Sequence, residues 1–145
     1  MKIYTIGFTK KSANTFFELI KKNGIQQLID IRLNNKSQLA GFAKRDDLQY
    51  FLKVICNAKY IHEPLLAPSQ EILDIYKKKK GTWRDYEINF LRLIEDRKIE
   101  EKIKKQIFEI PTVLLCSEPT AQFCHRRLVA EYFQTKWGGV DIQHL

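Results

Sequence analysis

Between Lys2 and Arg32 the chain passes through a β-rich segment, a helical segment and a second β-rich segment, an order that leaves few folds open. The first, KIYTIG (2–7), ends at Gly7, and the second, IQQLIDIR (25–32), begins directly after Asn23-Gly24. Between them Ser12 offers a hydroxyl to the free N–H groups of a helix start. Ala13, Phe16, Phe17 and Ile20 then fall at i, i+3, i+4 and i+7, one face of a helix. Strand, helix and strand within about 30 residues make a βαβ unit, which sets two strands parallel with a right-handed crossover.

The remainder continues the alternation. LNNKSQLAGFAK (33–44) has no clear period and reads as a loop at the C-terminal edge of the sheet. Asp46 or Asp47 opens a second helix, with Leu48, Phe51, Leu52, Ile55 and Cys56 at helical spacing. KYIHEP (59–64) is a third strand closed by Pro64, and Pro68-Ser69 starts a helix that runs into the four lysines of 77–80 before Gly81. Those lysines suit the negative end of a helix dipole. Trp83, Tyr86, Phe90 and Ile94 mark a further helix, and 99–108 is a charged helical stretch. TVLLCS (112–117) is a fourth strand, 124–137 a helix with Leu128, Val129, Tyr132 and Phe133 inward, and VDIQHL (140–145) the last strand. The expected class is α/β: a single domain over 1–145, with a mostly parallel sheet of about five strands and helices on both faces.

Composition agrees with one soluble core: 145 residues, 44% hydrophobic and 29% charged. No apolar run approaches the roughly 20 residues of a membrane span, so no membrane partner is expected. MKIYTIGFTKK lacks a signal-peptide pattern. Three cysteines, Cys56, Cys116 and Cys124, are an odd number that makes no secreted disulfide framework. The cytoplasm is the expected compartment. A net charge of +8 favours an anionic partner, small molecule or nucleic acid, although lysines also keep a surface solvated.

In an open parallel sheet, ligands bind beyond the carboxyl ends of the strands. That edge collects Gly7, Phe8 and Thr9 from the first strand, Asp30 and Arg32 from the second, and His62 and Glu63 from the third. It also collects Cys116, Ser117 and Glu118 from the fourth, His144 from the last, and the helix start at Cys124, His125 and Arg126. Arg32 and Arg126 are expected to hold an anion, with Asp30 and Glu118 as acid/base candidates. Gly7, Thr9, Cys116, Cys124 and His125 complete the expected binding set. Plainer roles stand beside these: Asp30 and Arg32 as a structural ion pair, Cys116 as a small apolar residue in a buried strand, His62 and His144 as structural histidines, and Cys56 as packing.

The segment LLCSEPTAQFCHRR (114–127) carries the most chemistry. Gln122, not an arginine, lies six residues past Cys116, and Glu118 inside the loop would repel an incoming oxyanion. A phosphatase-like or rhodanese-like anion loop is therefore rejected. Cys124 is the expected reactive thiol, its pKa lowered by a helix start and by His125, Arg126 and Arg127. A zinc site from Cys116, Cys124, His125 and His62 has no CxxC pair behind it, and neither a metal nor another cofactor is expected. The best physical fit is an anion cradle at the helix start, with Glu118 free to act as acid or base or to hold Arg126. The leading expectation is a site for an anionic, nucleotide-like or nucleic-acid-derived ligand, with enzymatic action on it left open. One alternative is a non-catalytic nucleic-acid-binding module using the lysine-rich surface and the 33–45 loop. Another is thiol or redox chemistry at Cys124.

TIGFTKKS (5–12), LIDIRLNNKSQLAGF (28–42), YIHEPLLAPS (60–69), LLCSEPTAQFCHRRLVAEY (114–132) and the terminal HL together resemble the domain-of-unknown-function family 488 over essentially the whole chain. The resemblance implies a compact cytosolic α/β domain of prokaryotes with no assigned function. Asp30, Arg32, Cys116, Glu118, Cys124, His125 and Arg126 match the family pattern. Two places depart from it. Many members carry Gly-His-Ser after the first strand, where this chain has Gly7-Phe8-Thr9, and Leu-Gly-Gly in the third-strand loop, where it has Leu65-Leu66-Ala67.

Overall fold

The computed structural model describes residues 1–145. β1 (Lys2–Gly7), α1 (Ala13–Lys22) and β2 (Gln27–Asp30) form the N-terminal βαβ unit. The Ser12 hydroxyl accepts the Thr15 N–H at 3.1 Å, capping α1, and Phe16, Phe17 and Ile20 are its buried face. The chain continues through α2 (Arg45–Phe51), β3 (Lys59–His62), α3 (Gln70–Lys77), α4 (Trp83–Asp96), the single-turn α5 (Ile99–Lys102), β4 (Thr112–Cys116), α6 (His125–Trp137) and β5 (Asp141–His144). All five strands are parallel, in the order β3-β2-β4-β1-β5. No helix is long and apolar enough to cross a membrane.

Strand alternation divides the core into two layers. Val113 and Leu115 of β4, with Ile6 and Leu28, pack against Phe16, Phe17 and Ile20 of α1, Leu48 of α2 and Leu52 of the π-helical turn (Leu52–Cys56) that follows it. Leu114 and Cys116, with Ile3 and Ile29, face Phe90 and Ile94 of α4 and Leu128, Val129 and Phe133 of α6. Each such aliphatic or aromatic side chain contributes about 1.5–3 kcal/mol when fully buried. β4 is buried along its whole length, which TVLLC requires, whereas the edge strands β3 and β5 hold only partly buried and exposed residues. Because β4 lies between β1 and β2, its C-terminal loop emerges among the ends of three strands. Cys116 therefore sits at the middle of the edge, on the α4/α6 face.

Several boundaries differ from the sequence expectation for identifiable reasons. β2 stops at Asp30, and Arg32 lies past it, because its side chain turns back onto Asp30. The helix after Ser69 ends at Lys77, and Lys80 takes a positive φ of 50°, so only Lys77 of the four lysines lies in a last turn. The stretch 99–108 is α5 followed by a 3-10 turn at Lys105–Glu109. An unbroken helix would set Ile103 and Phe108 about 140° apart, whereas both side chains are buried in one cluster. Within 33–44, residues Gln38–Ala43 form 3-10 turns, with Gly41 at φ 57° as the kink between them.

Candidate functional site

Gly7 is paired in register with Cys116, and the loop leaving β4 crosses directly over it. A Cβ at Gly7 would stand 1.7 Å from the Glu118 carbonyl oxygen. The Thr9 N–H donates to the Ser117 carbonyl at 3.1 Å, tying the same loop from the other side. Gly7 and Thr9, expected as ligand contacts, act here by placing the 117–118 loop. Arg126 has a similar part. It is fully buried, with Nε donating to Thr5 Oγ1 at 3.2 Å and Nη1 to the Glu118 carbonyl at 2.7 Å, so its guanidinium clamps α6, β1 and the loop together. The expected anion-holding role of Arg126 gives way to this internal one.

Asp30 and Arg32 form a buried, two-pronged ion pair. Arg32 Nε and Nη2 each donate at 2.8 Å to the two carboxylate oxygens, and the Arg32 backbone N–H adds a third bond at 3.1 Å. The Tyr60 hydroxyl and the Asn35 amide donate to the same carboxylate, and Arg32 Nη2 also reaches the Ala43 carbonyl at 2.8 Å. Burial alone would raise the Asp30 carboxyl, but the bonds and charge of Arg32, with the Tyr60 hydroxyl, outweigh it and hold the group below the usual carboxylate range. The Tyr60 hydroxyl is pushed up in turn, by burial and by Asp30. The ion-pair alternative is the one realised. Asp30 is fully enclosed, which removes it from acid/base work on a ligand, and Arg32 offers a pocket only its flank.

At the end of β4, Cys116 Sγ lies 3.3 Å from His125 Nδ1, while His125 Nε2 lies 2.7 Å from the Ile31 carbonyl. A carbonyl can only accept, so Nε2 carries a proton and Nδ1 is the atom presented to sulfur. The Cys124 thiol completes a group of three buried donors. Burial acts to raise the Cys116 thiol. The S–H of Cys124, the backbone N–H groups of Ser117 and Glu118 and the charge of Arg126 override it, and the net direction is downward. Cys124 moves the opposite way: burial and its bond to Cys116 push its thiol up. The expectation of a lowered Cys124 is thus corrected: burial and the neighbouring sulfur outweigh its basic neighbours. A thiol and an imidazole within reach, the imidazole oriented by a third group, are the parts that nucleophilic catalysis uses.

These three residues form the floor of a cleft of about 220 Å³. Its wall is aromatic: Tyr76, Trp83, Tyr86 and Phe123, with Trp83 stacked on Tyr86 at 5.0 Å and meeting Phe123 edge-on at 5.8 Å. Lys77 and Glu118 stand at the rim, 3.1 Å apart. Both are substantially exposed, so their pair adds little stability. Glu118 therefore pairs with Lys77, not Arg126, and it is the only expected acid/base group that faces the cleft.

Leu33 and Asn34 also line a second, polar basin with Asn35, Lys36, Ser37, Arg45 and His62. His62 is anchored there, its Nε2 lying 2.9 Å from the Arg32 carbonyl. His144 bonds Thr5 Oγ1 at 2.6 Å at the far end of the edge, away from both hollows. Of the residues expected at the site, Arg32, Cys116, Glu118, Cys124 and His125 line the cleft, whereas Asp30, Gly7, Thr9 and Arg126 support it from behind. The sequence reading missed the aromatic wall, and it held Lys36 and Arg45 only as part of the 33–45 loop of the nucleic-acid alternative. Trp83 and Tyr86 lie on the inward stripe of α4 and read as core, yet Trp83, in the first turn, remains partly exposed at the cleft.

No curated protein and no solved structure matches the chain. A family model does: the one described as domain of unknown function DUF488 matches residues 12–133 of the 145. The matched span runs from the cap of α1 into α6 and takes in the buried ion pair, the aromatic wall and the cysteine–histidine floor. The chain belongs to the DUF488 family.

Proposed function

We propose that the chain binds a small, anionic, nucleotide-like ligand across the C-terminal edge of its sheet. The flat ring lies against Trp83 and Phe123, and the anionic group lies over Lys36 and Arg45. The observation that carries this reading is the adjacency of the two hollows, since Leu33 and Asn34 line both. One hollow is aromatic and suits a ring; the other is polar and cationic. The ion pairs of the chain run through Arg32, Lys44, Lys77, Lys78 and Arg127, which leaves Lys36 and Arg45 without acidic partners. Glu118 at the rim is the group placed to give or take a proton from a bound ring.

Calorimetric titration with matched nucleosides and mononucleotides tests the reading. Mononucleotides should bind roughly 10-fold or more tighter than the nucleosides, the worth of charge-assisted bonds to a phosphate. Lys36→Ala with Arg45→Ala should abolish that difference. Trp83→Ala should weaken both ligand classes by about 5- to 100-fold, as loss of one stacking platform does. Equal affinities for nucleoside and nucleotide, unmoved by these variants, would defeat the proposal. Binding confined to oligonucleotides, with affinity falling steeply in salt, would favour the nucleic-acid module instead.

A further inference from the structure

We infer that Cys116, Cys124 and His125 bind a soft divalent metal ion of the Zn²⁺ class, with its fourth coordination position open to the aromatic cleft. The two sulfurs and a His125 ring nitrogen lie within 4.8 Å of one another. Cys116 Sγ and His125 Nδ1 are 3.3 Å apart, close to the about 3.5 Å that separates sulfur and nitrogen on one tetrahedral zinc. The set already has the orientation that coordination needs. The bond of His125 Nε2 to the Ile31 carbonyl fixes the ring and turns Nδ1 toward the sulfurs, the outer-shell contact that ligating histidines characteristically make.

The donors and their surroundings select the ion. Two thiolates and an imidazole suit zinc and exclude the oxygen-seeking magnesium and calcium. The fully buried guanidinium of Arg126, bonded to the Glu118 carbonyl two residues past Cys116, sets a positive charge at the same loop. All three donors line the cleft, so a bound ion has one face toward whatever occupies it. Three protein ligands with an open position is the arrangement of catalytic zinc rather than of closed structural sites. The set has no CxxC pair in sequence and is assembled by the fold. The 117–123 loop doubles back so that the start of α6 meets the end of β4, and His62, the fourth ligand of the sequence-based set, is bonded to the Arg32 carbonyl instead.

The full chain, reduced and stripped with a chelator, is titrated with Co²⁺ and then with Zn²⁺. One equivalent of Co²⁺ should give thiolate-to-cobalt charge-transfer absorption, and Zn²⁺ should displace it. Cys116→Ser or Cys124→Ser should weaken Zn²⁺ binding by at least about 100-fold, more than loss of an outer-shell partner costs. Cys56→Ser should leave it unchanged. A second arm needs no variant: saturating Zn²⁺ should slow iodoacetamide alkylation of Cys116 and Cys124 while Cys56 reacts as before. A cobalt spectrum without charge transfer, equal Zn²⁺ affinity in the wild type and both serine variants, or no protection from alkylation would each overturn the site. The nucleotide-like ligand enters none of these readouts, so this inference and the proposed function stand or fall separately.

Discussion

Asp30→Ala is expected to destabilise the fold by about 3–5 kcal/mol, the cost of leaving one member of a buried ion pair without its partner. Arg32 cannot turn to solvent without abandoning the Ala43 carbonyl, and Tyr60 and Asn35 lose the same acceptor. Against a typical domain stability of about 5–15 kcal/mol, this puts the variant close to unfolding. The pH dependence has a definite sign. The folded-state pKa of Asp30 lies below its ordinary value, so its contribution is complete above about pH 4 and is lost as pH falls through the folded value. Urea midpoints of wild type and Asp30→Ala should therefore converge on acidification below pH 4. A midpoint in the variant within error of wild type at pH 7 would show that Asp30 does not hold this end of the sheet.

Gly7→Ala should cost about 3 kcal/mol or more, the upper end of what overpacking does. The new methyl would meet the Glu118 carbonyl oxygen at 1.7 Å and Arg126 Nη1 at 2.8 Å, and the first of these is backbone. Relief requires the loop to lift, which strains the Arg126–Glu118 and Thr9–Ser117 bonds together. The same lift displaces the Ser117 and Glu118 N–H groups from Cys116, so the variant should also alter the alkylation rate of that thiol. Denaturant unfolding and a thiol-labelling time course read the two effects. A loss under about 1 kcal/mol with unchanged labelling would mean that the loop does not rest on Gly7.

Much of the architecture was legible because it is encoded locally. Ser12 and the Phe16–Ile20 stripe announce α1, TVLLC announces a strand buried on both faces, and the alternation of elements announces a parallel sheet. The position of β4 between β1 and β2 is a long-range fact that no window of sequence contains. The same distinction governs the site. Residues at strand ends were placed at the correct edge, but which way each side chain turns depends on partners far along the chain. Arg126 was read as an anion holder from its place at a helix start; its partner Thr5 lies 121 positions earlier. Cys124 has the basic neighbours that lower a thiol, yet burial and Cys116 outweigh them. Lys36 and Arg45 lie in the 33–45 loop, which the sequence offers as a nucleic-acid contact, but their meeting in one basin depends on how its 3-10 turns fold back.

Two tryptophans make the most direct test of the ligand site, because they report from different places. Trp83 lines the cleft, whereas Trp137 is stacked on Phe133 at 4.2 Å, with its indole donating to the Glu100 carbonyl. Indole N–H resonances followed during titration with a mononucleotide panel should show Trp83 shifting, Trp137 still, and the Trp83 response weakened by Arg45→Ala. A Trp83 resonance that stays fixed through saturation with every mononucleotide would contradict the account at its centre.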